Sequence, residues 1–287
     1  MIWGFAGPWY GEFRMRDGEY VKGEQEQLYL SFEFLREYGL TCLGASLQQV
    51  QKMTDAERAT LGQYLLDHGQ CMSAGIGANW LVMSEGDAHR YADTLDKQLS
   101  CYATLMRAPI VTTGAGAGHR FDRTRSVEEK LNLLSRALTP VAEVCHAHGL
   151  TFGIENHCDF YVSDFTQLCR QTPHLGIFLD TGNTYMIGEK PLPAFQEAAP
   201  YVVGSHFKDH YVAPRPNGSP MNFEVVGAAL GEGDVPLREC YALLKQHAPW
   251  PERLVMEIEM IAPPGMDPRE CMRRSAQFVH SLQGAKV

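Results

Sequence analysis

LTFGIENHCDFYVSDFTQLCRQTPHLGIFLDTGN, residues 150–183, contains two short apolar runs that each stop at a carboxylate: LTFGIE at Glu155 and LGIFLD at Asp180. Runs of this length, apolar rather than alternating, read as buried parallel strands. Two more follow, VVGSH stopping at His206 and RLVME stopping at Glu257. Metal-type ligands thus stand at the ends of four successive strands, and a closed barrel would deliver all four to one rim.

Farther out, strand-like runs begin near Ile2, Leu40, Cys71, Pro109, Leu150, Leu175, Tyr201 and Arg253, with amphipathic stretches between them. The clearest helical patterns cover 26–39, 55–69, 126–149 and 268–282. Gly39, Gly69 and Gly149 follow helical runs where a left-handed C-terminal cap belongs. Strand-then-helix units repeated about eight times imply a parallel sheet. At 287 residues, the count favours an α/β fold of the (β/α)8 TIM barrel type, for which about 250 residues is typical. A single domain over 1–287 is expected. An open doubly wound sheet would carry a Gly-rich turn after an early strand, and FAGPWYGEF (5–13) has no such fingerprint.

Two loops exceed the usual length and are candidate lids or substrate walls. One spans 7–23 with Trp9, Tyr10, Phe13 and Arg14; the other spans 208–234 and includes APRPNGSP. GAGAGHRF (114–121) lacks the Lys-Ser/Thr of a phosphate cradle and reads as a loop kept small for close approach, with His119 and Arg120 as candidate substrate contacts.

The net charge of −9, with no basic run, disfavours nucleic acid as a partner. Nothing approaches the roughly 20 apolar residues of a membrane span, and no cleavable leader is visible. A cytoplasmic location and no membrane association are expected. The eight cysteines include no CxxC pair and read as reduced, mostly buried thiols.

Three carboxylates and one imidazole make an oxygen-rich donor set that suits Mn2+ or Mg2+ and admits Co2+ or Zn2+. Clustered without a cation, the carboxylates would repel one another. Residues two apart on a strand share a face, so His157, Lys208 and Glu259 fall one step nearer the mouth as candidate substrate contacts. Asn183, just past Asp180, offers an amide that can hold a hydroxyl. Asp234 reads as a helix N-cap, and His174 and His247 as surface histidines. No GxSxG, HExxH or P-loop offers a rival chemistry.

At GIENH (153–157), FLDTGN (178–183), SHFKD (205–209), GEGDVPL (231–237) and VMEIE (255–259) the chain resembles the xylose-isomerase-like TIM-barrel superfamily, which includes sugar isomerases and D-tagatose 3-epimerase type enzymes. The resemblance implies one divalent ion on Glu155, Asp180, His206 and Glu257. It also implies acid–base work by Glu155 and Glu257 on opposite faces of a small carbohydrate. Glu257 is taken over Glu259 from its place at the family's strand end, although the two-residue period allows either. The chain departs from the epimerase branch at Asn183, where His is frequent. It departs again in KDHYVAPR, where Arg215 can replace the family's arginine only if the loop folds back.

The expected chemistry is proton transfer beside a carbonyl through an enediolate, giving an isomerase or epimerase. Decarboxylation or dehydration of an oxo-sugar acid or inosose through the same intermediate is the alternative, because the fold does not choose the reaction. An abasic-site nuclease would need extra His ligands on the early strands, which SAGIGANW and VTTGAGAG do not supply at the expected ends. A non-catalytic sugar-binding barrel is disfavoured by the intact ligand set. A homo-oligomer is compatible with the resemblance.

Overall fold

The computed structural model describes residues 1–7, 15–16, 19–215 and 222–284. Trp9, Tyr10, Phe13 and Arg14 lie outside them, as does 216–221 of the second long loop. In chain order the strands are β1 (Ile2–Phe5), β2 (Met15–Arg16), β3 (Glu19–Tyr20), β4 (Cys42–Leu43), β5 (Cys71–Met72), β6 (Ala74–Gly75) and β7 (Ile110–Gly114). They continue as β8 (Thr151–Glu155), β9 (Leu175–Asp180), β10 (Val202–Phe207), β11 (Asp209–Pro214), β12 (Phe223–Ala228) and β13 (Val255–Ile258).

Nine of these form one sheet in the order β5-β4-β1-β13-β10-β9-β8-β7-β6, with parallel pairing throughout. Only Ser73 separates β5 from β6; β5 pairs with β4 and β6 with β7. The sheet therefore closes on itself through one interrupted strand, making the expected barrel of eight strand positions.

Local sequence accounts for the helices around it. Thr54 with Glu57 and Ser126 with Glu129 form capping boxes that start the helices Asp55–His68 and Val127–Ala147. Gly39, Gly69 and Gly149 adopt φ of 67°, 63° and 70° where helices end, as their positions predict. The last helix is Pro268–Leu282. Within the described residues no helix is long and apolar enough to cross a membrane. All eight cysteines are free, and Cys42, Cys145, Cys169, Cys240 and Cys271 are buried.

Two apolar layers result. Phe32, Leu35, Leu134, Leu138 and Phe165 belong to the large core shared by helices and sheet. Cys42, Ile110, Phe178, Val203 and Val255 form a separate small cluster. Because strand residues two apart share a face, Phe178 and Val255 place this cluster directly beneath Asp180 and Glu257. It is the dry floor of the site.

The stretch 208–234, expected to be a loop, is largely an antiparallel hairpin of β11 and β12. Tyr211, Val212, Val225 and Val226 supply the β-branched and aromatic pairs that such a ribbon needs. Asp234 is not a helix cap. The helix Leu237–His247 begins after Pro236 without a side-chain cap, and Asp234 instead accepts hydrogen bonds from Val212 N at 3.2 Å and Tyr185 Oη at 3.1 Å.

The motif residue Asp209 explains GEGDVPL. Its fully buried carboxylate accepts from Gly231 N, Gly233 N and Val235 N at 2.8, 3.0 and 3.2 Å. A Cβ on Gly233 would come within 2.2 Å of Asp209 Oδ1, so only glycine lets the turn close on it. Hydrogen bonds to a charged group contribute about 1.5–3 kcal/mol each. Asp209→Ala, leaving these three amides and that of His210 without the carboxylate as acceptor, is expected to lower unfolding free energy by about 3 kcal/mol or more in a urea titration. A loss below about 1 kcal/mol would contradict this role.

Candidate metal centre

Parallel register does most of the positioning. Asp180 lies opposite His206, and His206 opposite Glu257, across β9, β10 and β13. Glu155 ends β8 beside them. Among the described residues, Glu155, Asp180, His206 and Glu259 each present a ligand atom, and all four atoms lie within 4.8 Å of one another. His206 Nδ1 is 2.7 Å from Glu155 Oε1 and 3.5 Å from Glu259 Oε2, while Nε2 is 3.2 Å from Glu257 Oε2. Phe178 meets the imidazole edge-on at 4.8 Å and holds its plane.

The tight group thus contains Glu259, whereas the sequence reading placed Glu257 fourth. Glu257 stands on the other side of the imidazole, 2% exposed, and its Oε1 has no hydrogen-bond partner among the described residues. A Cβ on Gly44 would approach Glu257 Oε2 to 2.6 Å, so the glycine keeps that carboxylate's place open.

Of the residues expected one step nearer the mouth, His157 and Lys208 lie against the cluster and Glu259 lies within it. His157 Nε2 lies 3.0 Å from Glu155 Oε2. Lys208 Nζ lies 2.8 Å from Asp180 Oδ2, 2.5 Å from Glu259 Oε2 and 3.4 Å from Asn183 Oδ1. Asn183 is occupied structurally: its backbone N–H donates to Asp180 Oδ1 at 2.8 Å and its Nδ2 to the Asn156 carbonyl at 2.8 Å. Asp180 therefore caps the helix Thr181–Met186 with one oxygen and turns the other to the cluster.

Asn156 was not anticipated. Its side chain donates to Asp180 O at 2.9 Å and accepts from Asp180 N at 2.8 Å, clamping the strand end that carries the ligand. Strand alternation turns it away from Glu155 and His157, so only its place inside GIENH pointed to it.

Three expected substrate contacts are engaged elsewhere. His119 is exposed, with Nδ1 accepting from Phe121 N at 3.1 Å. Arg120 pairs with Asp164 and covers the Tyr161 ring at 3.6 Å. Arg215 pairs with Glu224 at 3.3 Å across the β11–β12 hairpin, so the loop does not fold it back onto the cluster. The Gly-rich segment before His119 does pack closely: a Cβ on Gly116 would meet Ala78 O at 2.5 Å.

Two clefts open beside the cluster, of about 660 and 610 Å3, and both are bordered by Ala45, Ser46 and Thr112. Glu155 and His157 line the first; His206 and Glu257 line the second. The two glutamates therefore face the mouth from opposite sides of one imidazole.

Burial works against every charge here. It raises the Glu155 carboxyl, but His206 and the hydrogen bonds from His157 and His206 outweigh it and hold Glu155 below the ordinary carboxylate range. His157 is raised chiefly by its hydrogen bond to Glu155. Burial lowers His206, and the surrounding glutamates more than reverse that. Burial pushes Asp180 up to about 7 against the pull of Lys208. Crowded carboxylates that draw protons onto imidazoles form a donor set that fits a hard divalent cation. The unpartnered Glu257 oxygen fits it too.

A family model described as xylose isomerase-like TIM barrel matches residues 32–282. Among curated proteins, the uncharacterized protein YihM of Escherichia coli (strain K12) is 26% identical over 189 residues, 64% of this chain and 54% of that protein. The chain thus spans about half the length of this relative. Among solved structures, an L-ribulose 3-epimerase superposes with a TM-score of 0.67 at 15% identity, covering 99% of this chain and 94% of that one. The probable 3-DHS dehydratase AsbF from Bacillus anthracis, involved in petrobactin synthesis, superposes at 0.64 and 15%, covering 97% and 98%. At these identities the structural likeness is one of fold.

Acid sensitivity follows from His210, 2% exposed beside this cluster. Burial, then the charge of Lys208, lowers its pKa to about 4. The unfolded chain therefore binds this proton first, and stability present above pH about 6.5 is lost as pH falls toward about 4. His210→Gln should flatten the fall in unfolding free energy across that window. An unchanged acid slope would show that His210 does not contribute.

Proposed function

The chain belongs to the xylose isomerase-like TIM-barrel family, and we propose that it is a divalent-metal-dependent isomerase or epimerase that moves a proton beside the carbonyl of a sugar or keto-sugar. The observation that carries this reading is the placement of Glu155 and Glu257 on opposite sides of His206, each lining one of two adjoining clefts.

Glu155, Asp180, His206 and Glu257 would hold the ion. Glu257 is preferred to Glu259 because it is level with His206 in register, while Glu259 forms an ion pair with Lys208. Bound there, Mn2+ or Mg2+ would polarise the substrate carbonyl and offset the negative charge growing on its oxygen.

The chain's own groups do the remainder. Glu155 is held ionised and its two oxygens are oriented by His157 and His206, so it can accept a proton from the carbon beside the carbonyl. Glu257, on the far side of the imidazole, can return a proton to the opposite face. Gln48, Gln51, Thr94 and Gln98 in one cleft, and Gln27 and Gln49 in the other, are suited to hydroxyl groups. The apolar floor that includes Phe178 and Val255 keeps water from the underside of the charges above it.

Loss of water is the second reading, because the fold is shared with a dehydratase about as closely as with an epimerase.

Incubation of the Mn2+-loaded protein in deuterated buffer with a panel of ketoses and oxo-sugar acids should place deuterium at a carbon next to the carbonyl of one class. Glu155→Gln and Glu257→Gln should each reduce that exchange by about 10²–10⁴-fold. Water loss in place of exchange would select the second reading. Absence of both, with metal bound, would defeat the proton-transfer mechanism.

The fourth donor is tested separately. In equilibrium dialysis against Mn2+, Glu257→Gln should weaken binding more than Glu259→Gln does. The reverse order would assign the place to Glu259.

A further inference from the structure

Lys208 brings an ammonium into the carboxylate cluster itself. It directly follows β10, the strand that carries His206, is 6% exposed, and bridges Asp180 Oδ2 at 2.8 Å and Glu259 Oε2 at 2.5 Å. Its stem lies against Gly182, where a Cβ would stand 2.7 Å from Lys208 Cγ and Cδ. The short helix begun by Asp180 therefore leaves a groove for this lysine. Its backbone is fixed too, since Lys208 N donates to Thr181 Oγ1 at 2.8 Å and Lys208 O accepts from the same hydroxyl at 2.8 Å.

Asp180 and Glu259 both belong to the group of ligand atoms that lie within 4.8 Å of one another. A divalent ion on Asp180 would therefore lie a few ångströms from the ammonium. Like charges at such separations in a buried site repel strongly. Either the lysine leaves these oxygens when the ion arrives or the two coexist at a cost in affinity.

We propose that Lys208, anchored by Glu259, is a resident counter-cation that competes with the divalent ion for Asp180. It would hold the carboxylates together while the ion is away and keep the ion exchangeable. The inference rests on the metal-dependent reading above, and it concerns affinity rather than turnover.

Calorimetric titration of MnCl2 into chelator-stripped protein tests it. K208M should bind Mn2+ at least ten times more tightly than the unsubstituted chain. Because K208M alone can misfold, E259Q and E259Q/K208M repeat the comparison with one buried carboxylate fewer, and the double variant should again bind more tightly. Equal or weaker binding in the variants lacking Lys208, while the unsubstituted chain binds Mn2+, overturns the competition and leaves the metal-dependent reading standing. No Mn2+ binding by any of the four proteins overturns both.

Discussion

Four carboxylates crowded around one imidazole, on a dry floor, are the constraint from which the rest of the barrel mouth follows. Glu155, Asp180 and Glu257 are each 7% exposed or less, and Glu259 joins them two residues beyond Glu257. Ionised groups taken out of water cost several kcal/mol each unless compensated. The compensation in the chain is partial: His206 and His157 serve Glu155, and Lys208 serves Asp180 and Glu259. Glu257 keeps one oxygen without a partner among the described residues. A site arranged in this way is stable only with mobile positive charge at hand, whether protons, an ammonium or a divalent ion.

Such crowding needs room and support. Glycine supplies the room at Gly44 beside Glu257, at Gly114 beside His157 and at Gly182 beside Lys208, where a Cβ would stand 2.6, 2.8 and 2.7 Å from those side chains. The support comes from polar groups one layer out. Asn156 clamps the backbone of Asp180 and Asp209 gathers the amides of the GEG turn, so the ends of β9 and β10 are held by buried hydrogen bonds. Groups of this kind tune and orient the residues that touch a metal.

Among the described residues, the three cations expected at the cluster mouth are engaged by carboxylates, while Lys52 lines the second cleft. Arg120 serves Asp164, Arg215 serves Glu224, and Lys208 is spent inside the cluster. Amide and hydroxyl side chains make up much of the cleft walls. Hydrogen bonding to several hydroxyls is the recognition chemistry that such walls provide.

Strand ends, helix ends and the barrel were legible because they are written locally. Apolar runs stop at Glu155, Asp180 and His206, capping boxes mark helix starts, and glycines at 39, 69 and 149 mark helix ends. The face-sharing of His157 with Glu155 and of Lys208 with His206 follows from the two-residue period of a strand. Asp234 and the β11–β12 hairpin were misjudged because their partners, Tyr185 in one case and a strand nine or more residues away in the other, cannot be seen in a local pattern. Asn156 was overlooked because strand alternation turns it outward. The sequence by itself determined which residues reach the rim. Only the tertiary structure decided which of them touch, bringing Glu259 into the tight group, turning Lys208 inward and leaving His119 and Arg215 outside, because closure of a parallel barrel sets side-chain distances through register between strands far apart in the chain.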